Sequence, residues 1–137
     1  MKRLLLLSFM AFFTMSLVGC NSQNSTKEQY QLQEQCGKRS DEWFNKKYGN
    51  ENEPLSSYQC HYNKKLNKCF IRIIMDNKNK LHNKPYYREA LFDINENREY
   101  GFFFMNDKET NCAFMVSNKE CKSRLEFDSL VKPYMEE

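Results

Sequence analysis

The residues of this chain best equipped for chemistry are its six cysteines, Cys20, Cys36, Cys60, Cys69, Cys112 and Cys121, and its two histidines, His61 and His82. A thiol-redox enzyme places Cys-x-x-Cys before a helix, and no such pair occurs here. Cys60 and His61 with Cys69 and His82 could be drawn around a zinc ion, yet the close ligand pair of structural zinc sites is missing and the thiols have oxidative partners. Either histidine could serve as a general base beside Asp76 or Asp93, but both lie in polar segments where an exposed imidazole is ordinary. The carboxylate pair Asp41-Glu42 falls on the solvated face of a helix. Haem attachment, phosphate-loop, Gly-x-Ser-x-Gly and His-Glu-x-x-His patterns are all missing. The sequence therefore predicts a protein that is not an enzyme, with no catalytic residues, no metal and no cofactor.

As structural crosslinks the cysteines make better sense. A bridge between Cys112 and Cys121 would close roughly ten residues and contribute about 2–3 kcal/mol. Cys36, on the sheet-facing side of the first helix, could reach Cys69 at the base of a hairpin. The competing bridge is Cys60 to Cys69, which a two-residue turn at Lys64-Lys65 would set directly opposite. Cys36 to Cys69 is preferred because it ties distant elements of a small core; Cys60 then remains as a free thiol and the basis of a rival, thiol-active function.

The elements that hold these residues follow from periodicity. Ser25 with Glu28 forms a capping box, so a helix is expected from Thr26, with Leu32, Cys36, Ser40, Trp43, Phe44 and Lys47 at helical spacing and Gly49 as a left-handed stop after Tyr48. Tyr58–Tyr62 and Cys69–Met75 read as a hairpin. Tyr86–Ile94 alternates, with Tyr86, Ala90, Phe92 and Ile94 on one side and Glu89 and Asp93 on the other. Glu99–Met105 carries Phe102-Phe103-Phe104, which suggests burial on both faces, and Gly101 there marks a bulge. Those phenylalanines, with Trp43, Phe44 and Tyr62, read as core rather than as a ligand box. Cys112–Val116 is a fifth strand. Ser123 with Glu126 caps a short closing helix of Phe127, Leu130, Val131 and Tyr134, limited by Pro133. The predicted class is α+β: an N-terminal helix, an antiparallel sheet of about five strands and a short C-terminal helix, with the helices on one face. No internal repeat is evident.

The N-terminus gives an address. Met1-Lys2-Arg3 is cationic, Leu4–Val18 is almost wholly apolar, and Asn21-Ser22-Gln23-Asn24-Ser25 is abruptly polar. That run falls short of the roughly 20 residues a spanning helix needs and has the grammar of a signal peptide. Leu17-Val18-Gly19-Cys20 resembles the lipobox of bacterial lipoproteins. The resemblance implies cleavage after Gly19, a diacylglyceryl group on the Cys20 thiol and acylation of the new amino terminus. It would anchor the chain to a membrane without crossing it, since two or more chains anchor stably where one does not. Residues 1–19 are then a lipoprotein signal peptide, 20–25 a lipidated tether and 26–137 a single domain. Asn21 rather than Asp after the anchor favours, by the same resemblance, the outer membrane if the cell is Gram-negative.

Further runs, His61-Tyr62-Asn63-Lys64-Lys65-Leu66-Asn67-Lys68-Cys69-Phe70, Asp93-Ile94-Asn95-Glu96-Asn97 and Leu130-Val131-Lys132-Pro133-Tyr134-Met135, resemble small uncharacterised bacterial envelope lipoproteins. The Tyr-x-Cys strand Tyr58-Gln59-Cys60 is similar to one in lysozyme inhibitors.

Composition bounds the partners. Of the formal net charge of +3, Lys2 and Arg3 supply two, leaving too little for nucleic-acid binding by bulk charge. The balance is local instead. Lys64, Lys65, Lys68, Arg72, Lys78, Lys80, Lys84 and Arg88 face the single Asp76 between His61 and Arg88, and the sign reverses from Glu89 to Glu109. Two uses are open: pairing of opposite charges on the solvated side of one sheet, or a cationic face turned toward anionic lipid or another envelope polymer. The expected function is a lipid-anchored envelope domain that binds a protein or polymer, with inhibition of a wall hydrolase as a narrower alternative.

Overall fold

A strand sends successive side chains to opposite faces, and Cys69-Phe70-Ile71 with Ile73 and Met75 is apolar on both, so the sheet that holds it needs two covers. In the computed structural model, which describes residues 22–49, 55–77 and 84–136, those covers are two helices. The order is α1 (Ser22–Tyr48), β1 (Leu55–Asn63), β2 (Lys68–Asn77), β3 (Tyr86–Asp93), β4 (Arg98–Asn106), β5 (Thr110–Phe114), β6 (Lys119–Glu120) and α2 (Arg124–Met135). The strands form one antiparallel meander of six, each beside its sequence neighbour. The fold is thus α+β as expected, and the additional strand is the two-residue β6, where the sequence reads as a turn.

The helices do not share a face. Cys69, Ile71, Ile73, Met75, Ala90 and Phe92 pack with Cys36, Trp43 and Phe44 of α1. The alternate residues Phe70, Leu91, Tyr100, Phe103 and Phe114 pack with Phe127 and Val131 of α2. The result is three layers with two cores. Glu89 and Asp93 lie opposite Ala90 and Phe92, as expected, but that side is not solvated: both are fully buried, on the α2 face.

Local chemistry accounts for most boundaries. Asn67, Asn97 and Asn118 each have φ near 50° and close the β1–β2, β3–β4 and β5–β6 turns, because asparagine tolerates the left-handed region better than other side chains. One turn is used three times without a sequence repeat. Tyr100 is the extra residue of a bulge in β4, and Gly101 beside it is required by packing, since a Cβ there would lie 2.5 Å from Phe114 Cδ2. Ser123 Oγ accepts from Glu126 N–H at 3.3 Å, while the Glu126 carboxylate accepts from Lys122 N–H at 2.8 Å. Helix α2 runs through Pro133 to Met135, two residues past the expected limit.

At the front of the chain, α1 begins at Ser22, so Ser25 lies inside it and does not cap it. Gly49 follows the helix but not in a left-handed conformation; its role is close approach, a Cβ there lying 2.4 Å from the Asn45 carbonyl oxygen.

Candidate functional site

Helix α1 is seated over β1 to β3, and beyond them the same face of the sheet is only partly covered. There β4 and β5 alternate so that Phe102, Phe104, Asn111 and Ala113 point to that side, with Phe102 opposite Ala113 and Phe104 opposite Asn111. Arg88 enters from β3 opposite Phe104. These residues, with Glu120 and Lys122, line an open cleft of about 690 Å³. The Cys112–Cys121 disulfide runs along its border and ties β5 to the segment leaving β6.

Phe102 and Phe104 are half-buried, and Tyr86 continues the aromatic row with its ring centroid 5.9 Å from that of Phe104. The Arg88 guanidinium lies 5.6 Å from the Phe102 ring centre and donates to Glu99 at 2.8 Å. That ion pair helps hold the cation beside the Phe102 ring, while its buried Nε has no partner among the described residues. Among the described residues, no histidine or free thiol lines the cleft, and the polar groups on its rim, Glu109, Asn111, Glu120 and Lys122, are exposed. A flat or extended ligand with apolar and charged parts would fit.

The residues singled out from the sequence fall elsewhere. Cys36 is bonded to Cys69 across 33 residues, with Cα atoms 5.4 Å apart, and Cys112 to Cys121 across nine, with Cα atoms 5.0 Å apart. Of the two partners weighed for Cys69, the structure takes the helix. Ser40, fully buried one turn along α1, sits against the same sulfur at 3.6 Å. Cys60 is free and half-buried on the α1 face of β1. Cys20, the expected lipid-attachment residue, lies outside the described residues, as does His82.

His61 does not join Cys60 or Cys69. It faces α2, where its Nε2 is buried with no partner among the described residues. Phe70 stands between His61 and Asp93 in the register, which sets that pair about 10 Å apart. Asp93 is also occupied: it accepts from Lys68 Nζ at 2.6 Å and from the Asn95 and Glu96 amides at 2.8 and 3.3 Å. Lys68 also meets Glu96 at 2.6 Å and Tyr100 Oη at 2.9 Å. Those partners, Asp93 first, push the Lys68 ammonium well above the usual lysine range. Asp41 accepts from Tyr58 Oη at 3.0 Å; burial, then this bond, raises the Tyr58 hydroxyl. Among the described residues, no three of His, Cys, Asp and Glu converge as metal ligands, and no helix is long and apolar enough to cross a membrane.

Two arrangements escaped the sequence. The first is the cleft, since only Phe103 of the three phenylalanines is fully in the core. The second is a buried ion cluster under α2: Glu89 is held by Arg72, Tyr87 and, at 2.7 Å, Arg124, and Arg72 also binds Asp128 of α2. Opposite charges thus pair between neighbouring strands on both sides of the sheet, Arg72 with Glu89 inside the molecule and Arg88 with Glu99 on the open face.

The fold and site together define a disulfide-braced, three-layer α+β domain with one face of its sheet half open. Comparison with protein-family models, curated proteins and solved structures finds no match to this chain.

Proposed function

We propose that this chain is a lipid-anchored domain of the bacterial cell envelope, attached through Cys20, that binds an envelope protein or polymer at the Phe102–Phe104 cleft without catalysing a reaction. The address rests on Leu17-Val18-Gly19-Cys20 behind its signal-like run, and the two disulfides suit an oxidising compartment. The binding site rests on one observation: an aromatic row with a guanidinium beside one of its rings, left partly exposed on a sheet whose other face is covered. A wall hydrolase of lysozyme type is one partner within this reading.

Mass spectrometry of the natural product tests the address: its first residue should be acylated Cys20, and a chain starting elsewhere or bearing a free Cys20 thiol refutes it. A photoreactive phenylalanine analogue at position 104 tests the site. It should yield a discrete adduct in intact cells, and adducts no different from those at an exposed position such as Leu125 would refute binding there. Inhibition of a purified wall hydrolase, lost in Arg88→Glu, would identify the partner class.

A second reading uses Cys60, the one free thiol among the described cysteines. Its half-buried position beside Tyr58 and Tyr62 favours slow modification; alkylation of the folded protein at the rate of a free thiol in solution would support a thiol-active role instead.

A further inference from the structure

An antiparallel meander puts alternate turns at one end, and here the β1–β2, β3–β4 and β5–β6 turns share an end. That end collects three exposed apolar side chains, Leu66 (46 %), Met115 (45 %) and Val116 (40 %). Exposed cations surround them: Lys64 and Lys65 in the first turn, Arg98 after the second, Lys119 after the third. The middle turn carries Glu96, which is bound to Lys68 at 2.6 Å. Apolar tips among lysines and an arginine have the chemistry that settles into an anionic bilayer surface.

Helix α1 points the same way. Phe44 stacks on Tyr58, five residues from the end of β1; eight residues earlier Cys36 is bonded to Cys69, one residue from the start of β2; and Gln33 accepts from Tyr62 N–H at 2.8 Å, one residue from the end of β1. Followed toward its N-terminus, α1 therefore leaves the sheet at the end that carries the three turns. Its residues Thr26–Gln31 are all exposed, as expected of a segment that has left the sheet. Cys20 precedes the first helical residue by two positions.

From these placements we infer that the three hairpin tips form a second membrane contact, docking on the anionic leaflet in which the Cys20 lipid is embedded. This rests on the proposed anchor. The eleven helical residues ahead of Gln33 span about 16 Å, so an upright α1 would hold the tips beyond the screening length of roughly 8 Å. Docking thus requires α1 to lean toward the surface, which places the open cleft at the side of the domain, available to a partner, with the membrane beneath.

The test uses the lipidated protein purified from membranes and reconstituted into vesicles of phosphatidylcholine alone or with phosphatidylglycerol. Flotation reports the anchor and amide hydrogen exchange reports the tips, with the β4–β5 turn at the opposite end, Asn106–Glu109, as internal control. Exchange at 64–67 and 115–118 should slow only on the anionic vesicles. Lys64→Glu with Lys65→Glu should abolish the slowing, each lysine being worth a factor of about five, while flotation and the control turn stay unchanged. Equal exchange on both vesicles with flotation intact, or slowing that survives the charge reversal, would overturn the inference and leave the anchor standing. Failure to float with either vesicle would overturn both.

Discussion

The two faces of the sheet solve the problem of burial differently. On the α2 side, a twelve-residue helix covers Phe70, Leu91, Phe103 and Phe114 and also seals in Glu89 and Asp93, whose carboxylates find their partners inside the molecule. On the α1 side, a helix of 27 residues packs Trp43 and Phe44 over β1 to β3, is tied by one covalent bond to Cys69, and leaves the sheet with its first turns. The closed face is held by packing and buried charge, the other by packing and a staple. What α1 does not reach is the cleft over β4 and β5.

If the closed face depends on its buried charges, breaking the Glu89 cluster should have the largest effect. Glu89→Ala leaves Arg72 and Arg124 facing an empty buried site and should cost about 3–5 kcal/mol in denaturant unfolding. Glu89→Leu combined with Arg72→Met should cost much less than the single change, since the isolated charge disappears with its partner. On the other face, Cys36→Ser with Cys69→Ser should cost about 3–4 kcal/mol, against about 2.5–3 for Cys112→Ser with Cys121→Ser, because the first bridge closes the longer loop. Only the first pair should also release α1, seen as faster amide exchange along residues 32–48. Equal exchange in the two variants would mean that Trp43 and Phe44 hold the helix unaided.

Much of this architecture is legible in the sequence, and the failures have a common cause. Hydropathy alternation located the strands, and Ser123 with Glu126 located α2, because strand pleat and helix cap are local properties. Alternation on β3 also separates Ala90 and Phe92 from Glu89 and Asp93, but it cannot say that a helix returning from residue 124 will cover the charged side with its own Arg124 and Asp128. The start of α1 escaped because Ser22–Gln31 has no apolar stripe, so nothing there marks a periodicity. The cleft escaped for a related reason: Phe102, Phe103 and Phe104 read alike, and their difference depends on where a helix some sixty residues earlier comes to rest.

Lys68 gives a milder perturbation of the closed face, resolved by pH. Its ammonium is raised by Asp93, Glu96 and Tyr100 above its ordinary value of 10.5. A base whose folded value is raised contributes stability that is complete below its unfolded value and is lost as pH climbs through the folded one. Stability should therefore decline with rising pH only above about 10.5, and Lys68→Met should remove this part of the alkaline slope. The residue is a quarter exposed, so the amplitude should be modest. A wild-type slope unchanged by the substitution would assign the alkaline loss to other groups, the tyrosines first.

The smallest expected effect separates the faces most sharply, because it compares adjacent residues of one strand. Phe103 is 3 % exposed between β4 and α2, and Phe103→Ala should cost about 3–5 kcal/mol. Phe104, half-buried at the open cleft, should cost about 1–2 kcal/mol when replaced by serine, less than Phe103 because part of its surface is already wet. Stability alone would then rank Phe104 below Phe103. If the cleft is a binding surface, the same serine should erase the partner adduct formed from a photoreactive group at the neighbouring Asn111 while the protein stays folded. A large stability loss in Phe104→Ser would instead mean that this face is closed in solution, and that the cleft belongs to the core.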